Sequence, residues 1–461
     1  MSISAQTVAA LGRAFVIAVV ALAASGPLSA WLASQRGRAQ TLAWALLVAP
    51  FFTPSLLISY AFSKFSLALI VAPFSHEALY ISVLALKLIP VAVIVRIFVP
   101  PALSAEAWHI HRMLAIPSWT QRVRFAARGA GAGPWIAGGI VFVLAFSDFE
   151  LASLWSIRSW TIALFDAQTG GLALRETLRL AACPLAVELA VLALVSSQIS
   201  SLRGTRSSFS SNGRERASCR PFSTGSDAIF WGYLAGTAVL ICILPLTIVG
   251  IQAAAGIRAL TENFVLGREL VASALFAVGA AICADAITRL GRRHPISALF
   301  LGAVGLLGAL VVSLLILALF QTAPLRAAYD SPLPLLLALI ILLLPLAFLL
   351  GAFRSSPRPA LHIAHRLGSH RLVWEMETRP HFAALGIVFC CAWFEFTASS
   401  ILAPVGLTPV FARLHNLAHY GQTAVLSAMM LAAFAVPVGT LLLGTILARV
   451  IAARKTSAFH S

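Results

Sequence analysis

Long apolar runs follow one another along the whole chain, and short stretches rich in arginine, proline and glycine separate them. A helix that crosses a bilayer needs roughly 20 apolar residues, and about eleven of these runs meet that requirement. The sequence therefore predicts an all-α fold, that of a polytopic transmembrane protein with about eleven spans. The predicted spans cover residues 12–33, 42–62, 77–99, 134–156, 177–199, 228–254, 268–288, 297–321, 332–353, 382–402 and 423–449.

Composition supports this interpretation. Of the 461 residues, 60% are hydrophobic and only 11% are charged, with a mean hydropathy of +0.92. A soluble domain carries about 25% charged residues. The deficit in charge excludes a soluble enzyme, a disordered chain and a secreted disulfide scaffold.

The arginines decide the predicted orientation. The formal net charge is +17, but the basic residues lie between apolar runs and form no patch typical of nucleic-acid binding. They are concentrated in alternate loops, which the positive-inside rule places in the cytoplasm. We therefore expect the N-terminus outside, the C-terminus in the cytoplasm and no nucleic-acid partner.

Two halves of the chain resemble each other. A Ser/Arg/Gly-rich stretch at 201–226 predicts a cytoplasmic linker between a first repeat of about five spans at 1–200 and a second of about six spans at 227–461. With an offset of roughly 250 residues, three features align in the same order. Ser34–Arg38 aligns with Arg289–Arg293, Ala107–Ala115 with Ala360–Gly368, and Phe149–Ser153 with Phe394–Ala398.

The two long cytoplasmic loops carry a pattern of their own. They resemble the EAA loops through which the permeases of ABC importers bind their ATPases, with His109 and His362 at the place of the usual glutamate. The spans that follow, at 146–154 and 394–399, resemble the signature of fused iron(III)- and thiamine-type permeases, a family that is internally duplicated. The resemblance assigns six residues to the ATPase-docking loops: His109, Arg112, Ala115, His362, Ala364 and Gly368.

This resemblance implies a complete transport system in a bacterial plasma membrane. Two ATPase subunits would bind the loops, and an extracytoplasmic binding protein would deliver a small solute such as iron(III) or thiamine. The chain has no Gly-rich loop ending in Lys-Ser/Thr, so we expect ATP hydrolysis on a separate subunit and no enzyme activity here. The cysteines show no CxxC spacing, and the loop histidines, although spaced so that they can bind a metal, have nothing to supply the remaining ligands. We therefore expect neither a metal nor a cofactor.

Acidic residues inside apolar spans are the candidate transport residues. An ionisable group within a membrane costs about 2.5–3.5 kcal/mol on insertion scales, so it usually faces a cavity or a partner. The alignment makes Glu150 and Glu395 equivalent. Either they line the translocation path or they have a structural role, for instance hydrogen bonding to helix ends or pairing with Lys87 or Arg96. Structural roles are expected of the unrepeated acids Asp148, Glu188 and Asp285.

Two other functions stay open at this point. In a proton-coupled secondary transporter, Glu150 and Glu395 would carry protons. A lipid-modifying membrane enzyme would need acids or histidines clustered at one membrane face, and the acids here are sparse.

Overall fold

The structure of the chain is a computed structural model that describes residues 3–99, 120–121, 129, 131–205, 224–261, 264–291, 295–354, 379–404, 406–419 and 423–457. Across these ranges the backbone forms helices and turns and no β-strand. Eight helices within them are long and apolar enough to cross a membrane. The prediction of an all-α, multi-pass membrane protein is thereby confirmed.

By its internal contacts the chain divides into two units, residues 1–246 and 247–461. Eight helices precede the predicted linker in the described part of the first unit. They are α1 (Ile3–Ser34), α2 (Gly37–Phe52), α3 (Ser55–Leu69), α4 (Pro73–Phe98), α5 (Gly133–Phe146), α6 (Glu150–Leu154), α7 (Trp160–Thr169) and α8 (Leu174–Thr205).

One long span follows the linker and contains the division between the units. It consists of α9 (Thr224–Ala238), a π-helical turn (Val239–Ile243) and α10 (Leu244–Thr261). The first part of this span packs within the first unit, because Trp31 Nε1 donates a hydrogen bond to Asp227 and its ring stacks on Phe230.

The described helices of the second unit then follow in the same order as α1 to α8. They are α11 (Phe264–Gly291), α12 (Pro295–Gly305), α13 (Ala309–Phe320), α14 (Leu333–Arg354), α15 (Arg379–Trp393), α16 (Thr397–Leu402), α17 (Val410–His419) and α18 (Thr423–Ser457), with a short 3-10 turn at Arg326–Ala328.

Helix pairing inside the two units is also alike. In the first unit α1 packs on α4 and α5, α2 packs on α4, and α3 packs on α6. In the second unit α11 packs on α14 and α15, α12 packs on α14, and α13 packs on α16. The central helices α1 and α11 both bury alanines, and small residues let neighbouring membrane helices approach closely.

Four of the predicted spans are interrupted. The span at 42–62 bends by 74° at residues 53–54, and the span at 134–156 stops at Phe146 and resumes at Glu150. The span at 297–321 stops at Gly305 and resumes at Ala309, and the span at 382–402 stops at Trp393 and resumes at Thr397. The prediction of about eleven spans is therefore corrected: the described residues contain eight helices that are long and apolar enough to cross a membrane, or nine if the bent pair at 37–63 counts as one span. Hydropathy does not predict these breaks, because it measures only apolar content. Pro54, which has no N–H, and Gly308, with a φ of +74°, end a helix but do not lower the mean hydropathy of the run enough to divide it.

A glycine marks the contact between α12 and α14. A Cβ on Gly305 would lie 2.2 Å from the carbonyl oxygen of Ile341 and 2.7 Å from Cδ of Pro345. Gly302, one turn earlier on α12, would place its Cβ in ordinary contact with Phe348 at 3.6 Å. The close approach therefore depends on Gly305 and not on Gly302.

All six residues assigned to the ATPase-docking loops lie outside the described residues, as does most of the predicted linker. The loop residues are His109, Arg112, Ala115, His362, Ala364 and Gly368. Their role stays a prediction. The described ends of the first loop belong to α4 and α5, and those of the second to α14 and α15.

Candidate functional site

A break in the membrane helix formed by α5 and α6 holds the first candidate site. Residues 147–149 separate the two helices, and Asp148 is the central residue of the three. Asp148 Oδ2 accepts hydrogen bonds from the Tyr80 hydroxyl at 3.0 Å and from the backbone N–H of Ala152 at 3.1 Å. The carboxylate thus satisfies a free N–H in the first turn of α6, where a negative charge is favoured by the helix dipole.

Neighbouring side chains satisfy the carbonyl groups that the break leaves free. Trp160 Nε1 donates to the carbonyl oxygen of Phe146 at 2.9 Å, and Thr161 Oγ1 donates to that of Asp148 at 3.0 Å. Both donors lie in the first turn of α7. Irregular backbone at membrane depth is tolerated only where protein or water satisfies it, and here α7 does so.

Lys87 connects this break to the break between α2 and α3. Its Nζ donates to Oγ of Ser55, the first residue of α3, at 2.8 Å. Its charge also interacts with the carboxylates of Glu150 and Asp148. Lys87, Asp148 and Glu150 are half-buried, so the two interrupted helices meet at a group of charges that retains some exposure.

Arg13 of α1 joins this group of charged and polar side chains to Glu77, near the start of α4. Its guanidinium forms an ion pair with Glu77 at 2.8 Å, donates to the carbonyl oxygen of Arg158 at 2.7 Å and lies 5.8 Å from the ring centre of Tyr80. The side chain of Arg13 is 9% exposed and that of Glu77 is 40% exposed. A continuous polar path therefore leads from Glu77 at the start of α4 to Lys87 in its middle.

The second unit has a corresponding break with a different set of charges. Between α15 and α16, Glu395 Oε1 accepts from the N–H of Ala398 at 3.0 Å. The ring of His415 lies on that of Phe396, with centroids 4.3 Å apart. The apolar sequence of α14 offers no counterpart of Lys87, because it contains no ionisable residue before Arg354.

The structure shows which acids hold the same position in the breaks of the two units. Asp148 and Glu395 are each the central residue of a three-residue break and each accepts a hydrogen bond from the helix that follows. Glu150 is instead the first residue of α6, and the first residue of α16 is Thr397. The alignment places Glu150 over Glu395 and leaves Asp148 unrepeated, whereas by position within the break Asp148, two residues earlier, matches Glu395. Matching the acid–Phe pairs Asp148–Phe149 and Glu395–Phe396 would have found the equivalence.

The other predicted membrane residues fall into separate places. The charge of Glu150 interacts with that of Lys87, one of the two bases that the sequence offered as its partner, whereas Arg96 donates to the Leu22 carbonyl of α1 at 3.3 Å. Asp285 accepts from Arg289 Nε at 2.8 Å at the end of α11. Among the described residues, no group of His, Cys, Asp and Glu could hold a metal ion.

Comparison with known proteins gives no relative from which a role could be transferred. No protein family, no curated protein and no solved structure matches the chain.

Proposed function

We propose that the chain is the permease subunit of an ATP-driven ABC importer in a bacterial plasma membrane. The N-terminus lies outside and the C-terminus in the cytoplasm, as the arginine distribution predicts. A binding protein delivers a small solute, iron(III) or thiamine-like, and two separate ATPase subunits supply the energy. The motifs of the two loops and of the spans that follow them suggest this class.

The proposal includes a tandem duplication. The order α1 to α8 is repeated by α11 to α18, and the pairs that pack within each unit correspond. Gly139 of α5 and Gly386 of α15 also agree, because a Cβ on either would press on a long helix of its own unit, α8 or α18, against Val195 at 2.4 Å and Leu441 at 2.5 Å. Parallel repeats of this kind are a common architecture of membrane transporters.

The observation that carries the proposal is the broken helix with a central acid in each unit. Interrupted membrane helices expose backbone polar groups, and transporters place their substrate sites at such interruptions. Asp148 and Glu395 occupy these positions, and Glu150 lies beside Asp148. We assign Glu150, Glu395 and Asp148 to the translocation path.

The same arrangement suggests how ATP could act on the path. The first docking loop joins α4, which carries Lys87, to α5, which ends at the break. The second loop joins α14 to α15 in the same way. A movement of either loop is therefore transmitted to the helices that hold the charged residues, and rigid-body rocking between two states would alternate access.

Purification of the tagged full chain from its native host tests the proposal. We expect a nucleotide-binding subunit to co-purify and to show ATPase activity that falls when Gly368 is replaced by arginine, because the bulky charge would obstruct docking. Asp330→Asn, in an exposed turn on the opposite predicted side, is the matched control and should leave the activity unchanged.

Uptake assays with radiolabelled thiamine and with iron(III) citrate then identify the solute class. ATP-dependent uptake of either compound by the reconstituted complex supports the proposal. Uptake by the chain alone, driven by a pH gradient and without nucleotide, would instead establish a proton-coupled secondary transporter.

A further inference from the structure

The helix α8 buries a single narrow stripe. Its buried residues recur every three or four positions, which places them on one face, while residues such as Leu189 and Leu194 on other faces are exposed. The stripe consists of Thr177, Ala181, Pro184, Glu188, Leu192 and Val195. Glu188 is its only ionisable member and lies near its centre.

Glu188 is enclosed more completely than any acid of the path. It is 0% exposed, and neither carboxyl oxygen has a hydrogen-bond partner in the described structure. Asp148 and Glu395, in contrast, are half-buried and accept hydrogen bonds from backbone N–H groups. Glu188 therefore differs from these two acids both in its burial and in its hydrogen bonding.

The helices that pack on α8 leave this carboxyl in apolar surroundings. They are α5, α7 and α1. No residue of α5 is ionisable, α7 contributes Asp166, and α1 contributes Arg13, which is already bound to Glu77 and to the carbonyl oxygen of Arg158. On α8 itself the described charged side chains other than Glu188 are all in the first two turns, at Arg175, Glu176 and Arg179.

The contact between α5 and α8 is tight within two turns of the acid. A Cβ on Gly139 would lie 2.4 Å from Cγ2 of Val195 and 3.6 Å from Cγ1 of Val191. Val191 follows Glu188 by one turn, and Val195 is two turns beyond it on the buried stripe. In the second unit Leu441 is the residue that meets Gly386, and α18 has no acid in its span.

An unpaired carboxylate in such a place is costly. Transfer of an isolated charge into an apolar medium costs far more than transfer of the neutral acid, so a buried unpaired carboxyl keeps its proton instead. We propose that Glu188 is a proton-binding site of the membrane region. It holds one proton while α8 is packed on α5, and it releases that proton to water when the contact opens.

Dicyclohexylcarbodiimide, a lipid-soluble reagent selective for protonated carboxyls, tests the site in the full chain in liposomes. The acid proton passes to a nitrogen of the reagent, the carboxyl oxygen bonds to its central carbon, and rearrangement gives a stable N-acylurea. At about pH 7, where an ordinary glutamate with a pKa near 4.3 is ionised, we expect mass spectrometry to find the adduct on Glu188. Glu188→Gln should lose this adduct, whereas Glu150→Gln should retain it.

Thermal stability across pH gives a second, independent measurement. A carboxyl that is neutral in the folded chain but ionised in the unfolded one makes the fold less stable as pH rises. Wild type should therefore lose stability from acid to alkaline pH relative to Glu188→Gln, and Glu188→Leu should behave like the Gln variant. An unlabelled Glu188, or a Gln variant that is destabilised equally at every pH, would overturn the proposal. Neither measurement involves ATP, so the result is separate from that for the proposed function.

Discussion

Replacement of Lys87 by methionine is expected to destabilise the first unit, because the change leaves Glu150 and Asp148 without their compensating charge. Removal of one member of a buried ion pair costs about 3–5 kcal/mol. These three side chains are half-buried, so water compensates in part and we expect about 1–3 kcal/mol. For a unit of 246 residues this corresponds to a fall in apparent Tm of roughly 2–12 °C.

A double-mutant cycle with Glu150→Gln distinguishes the two roles that the sequence left open for Glu150. If Glu150 pairs with Lys87, the Gln substitution should cost clearly less in the Lys87→Met background than in wild type. The interaction energy should then be about 1 kcal/mol or more, whereas independent sites add to within about 0.5 kcal/mol. Heating a fluorescent fusion in detergent and measuring the remaining monodisperse protein gives all four values.

The matched control uses Arg96, which lies about 13 Å further along α4 at 1.5 Å per residue. Arg96 donates to Leu22 and Ser25 of α1. Arg96→Met and Glu150→Gln should therefore be additive. Additivity in the Lys87 cycle as well would refute the pairing of Glu150 with Lys87.

Three further pairs of substitutions test the packing and the polar side chains by the same heating assay. Gly305→Ala should cost about 1–3 kcal/mol through overpacking, while Gly302→Ala should be neutral or slightly stabilising; equal effects would contradict the close contact of α12 and α14. Arg13→Ala should destabilise more than Glu77→Gln, because the arginine is buried and the glutamate can be hydrated; the reverse order would disprove this account. Asp148→Ala should cost about 1–3 kcal/mol more than Asp148→Asn, which can still accept hydrogen bonds; equal Tm values would show that these bonds contribute little.

The sequence predicted where the apolar helices lie, because a membrane span depends on the apolar content of about 20 successive residues. It did not predict the interruptions, which depend on single residues. Pro54 and Gly308 lie inside apolar runs, and neither lowers the hydropathy enough to divide the run. Asp148 ends α5 because its carboxylate and the donors on α7 satisfy the backbone, which is a tertiary effect.

Only part of the candidate site was predicted from the sequence, because the rest depends on helix ends and on contacts between distant helices. Glu150 and Glu395 were selected because their neighbours in sequence match, but a match of short strings leaves the register uncertain by a residue or two. Counted from the helix ends at Phe146 and Trp393, Asp148 and not Glu150 holds the same position in its break as Glu395. Arg13, Tyr80 and Ser55 were not predicted at all, because each enters the cluster from a helix distant in sequence.

Burial also distinguishes acids that have similar sequence surroundings. Glu188 and Glu150 both follow apolar residues in predicted spans, and nothing near either distinguishes a lone acid from a paired one. In the structure one is enclosed without a partner and the other lies beside a lysine. The difference arises from which helices pack together, which local sequence does not specify.

The central claim is that two similar units each bind an ATPase subunit in the cytoplasm. Photo-cross-linking in the native host measures this most directly, with a photoreactive amino acid placed at His109, at His362 or, as a control on the opposite predicted side, at Asp330. We predict that both loop positions cross-link to the same nucleotide-binding subunit and that the control does not. Failure of both loop positions, or capture at only one of them, would contradict the account.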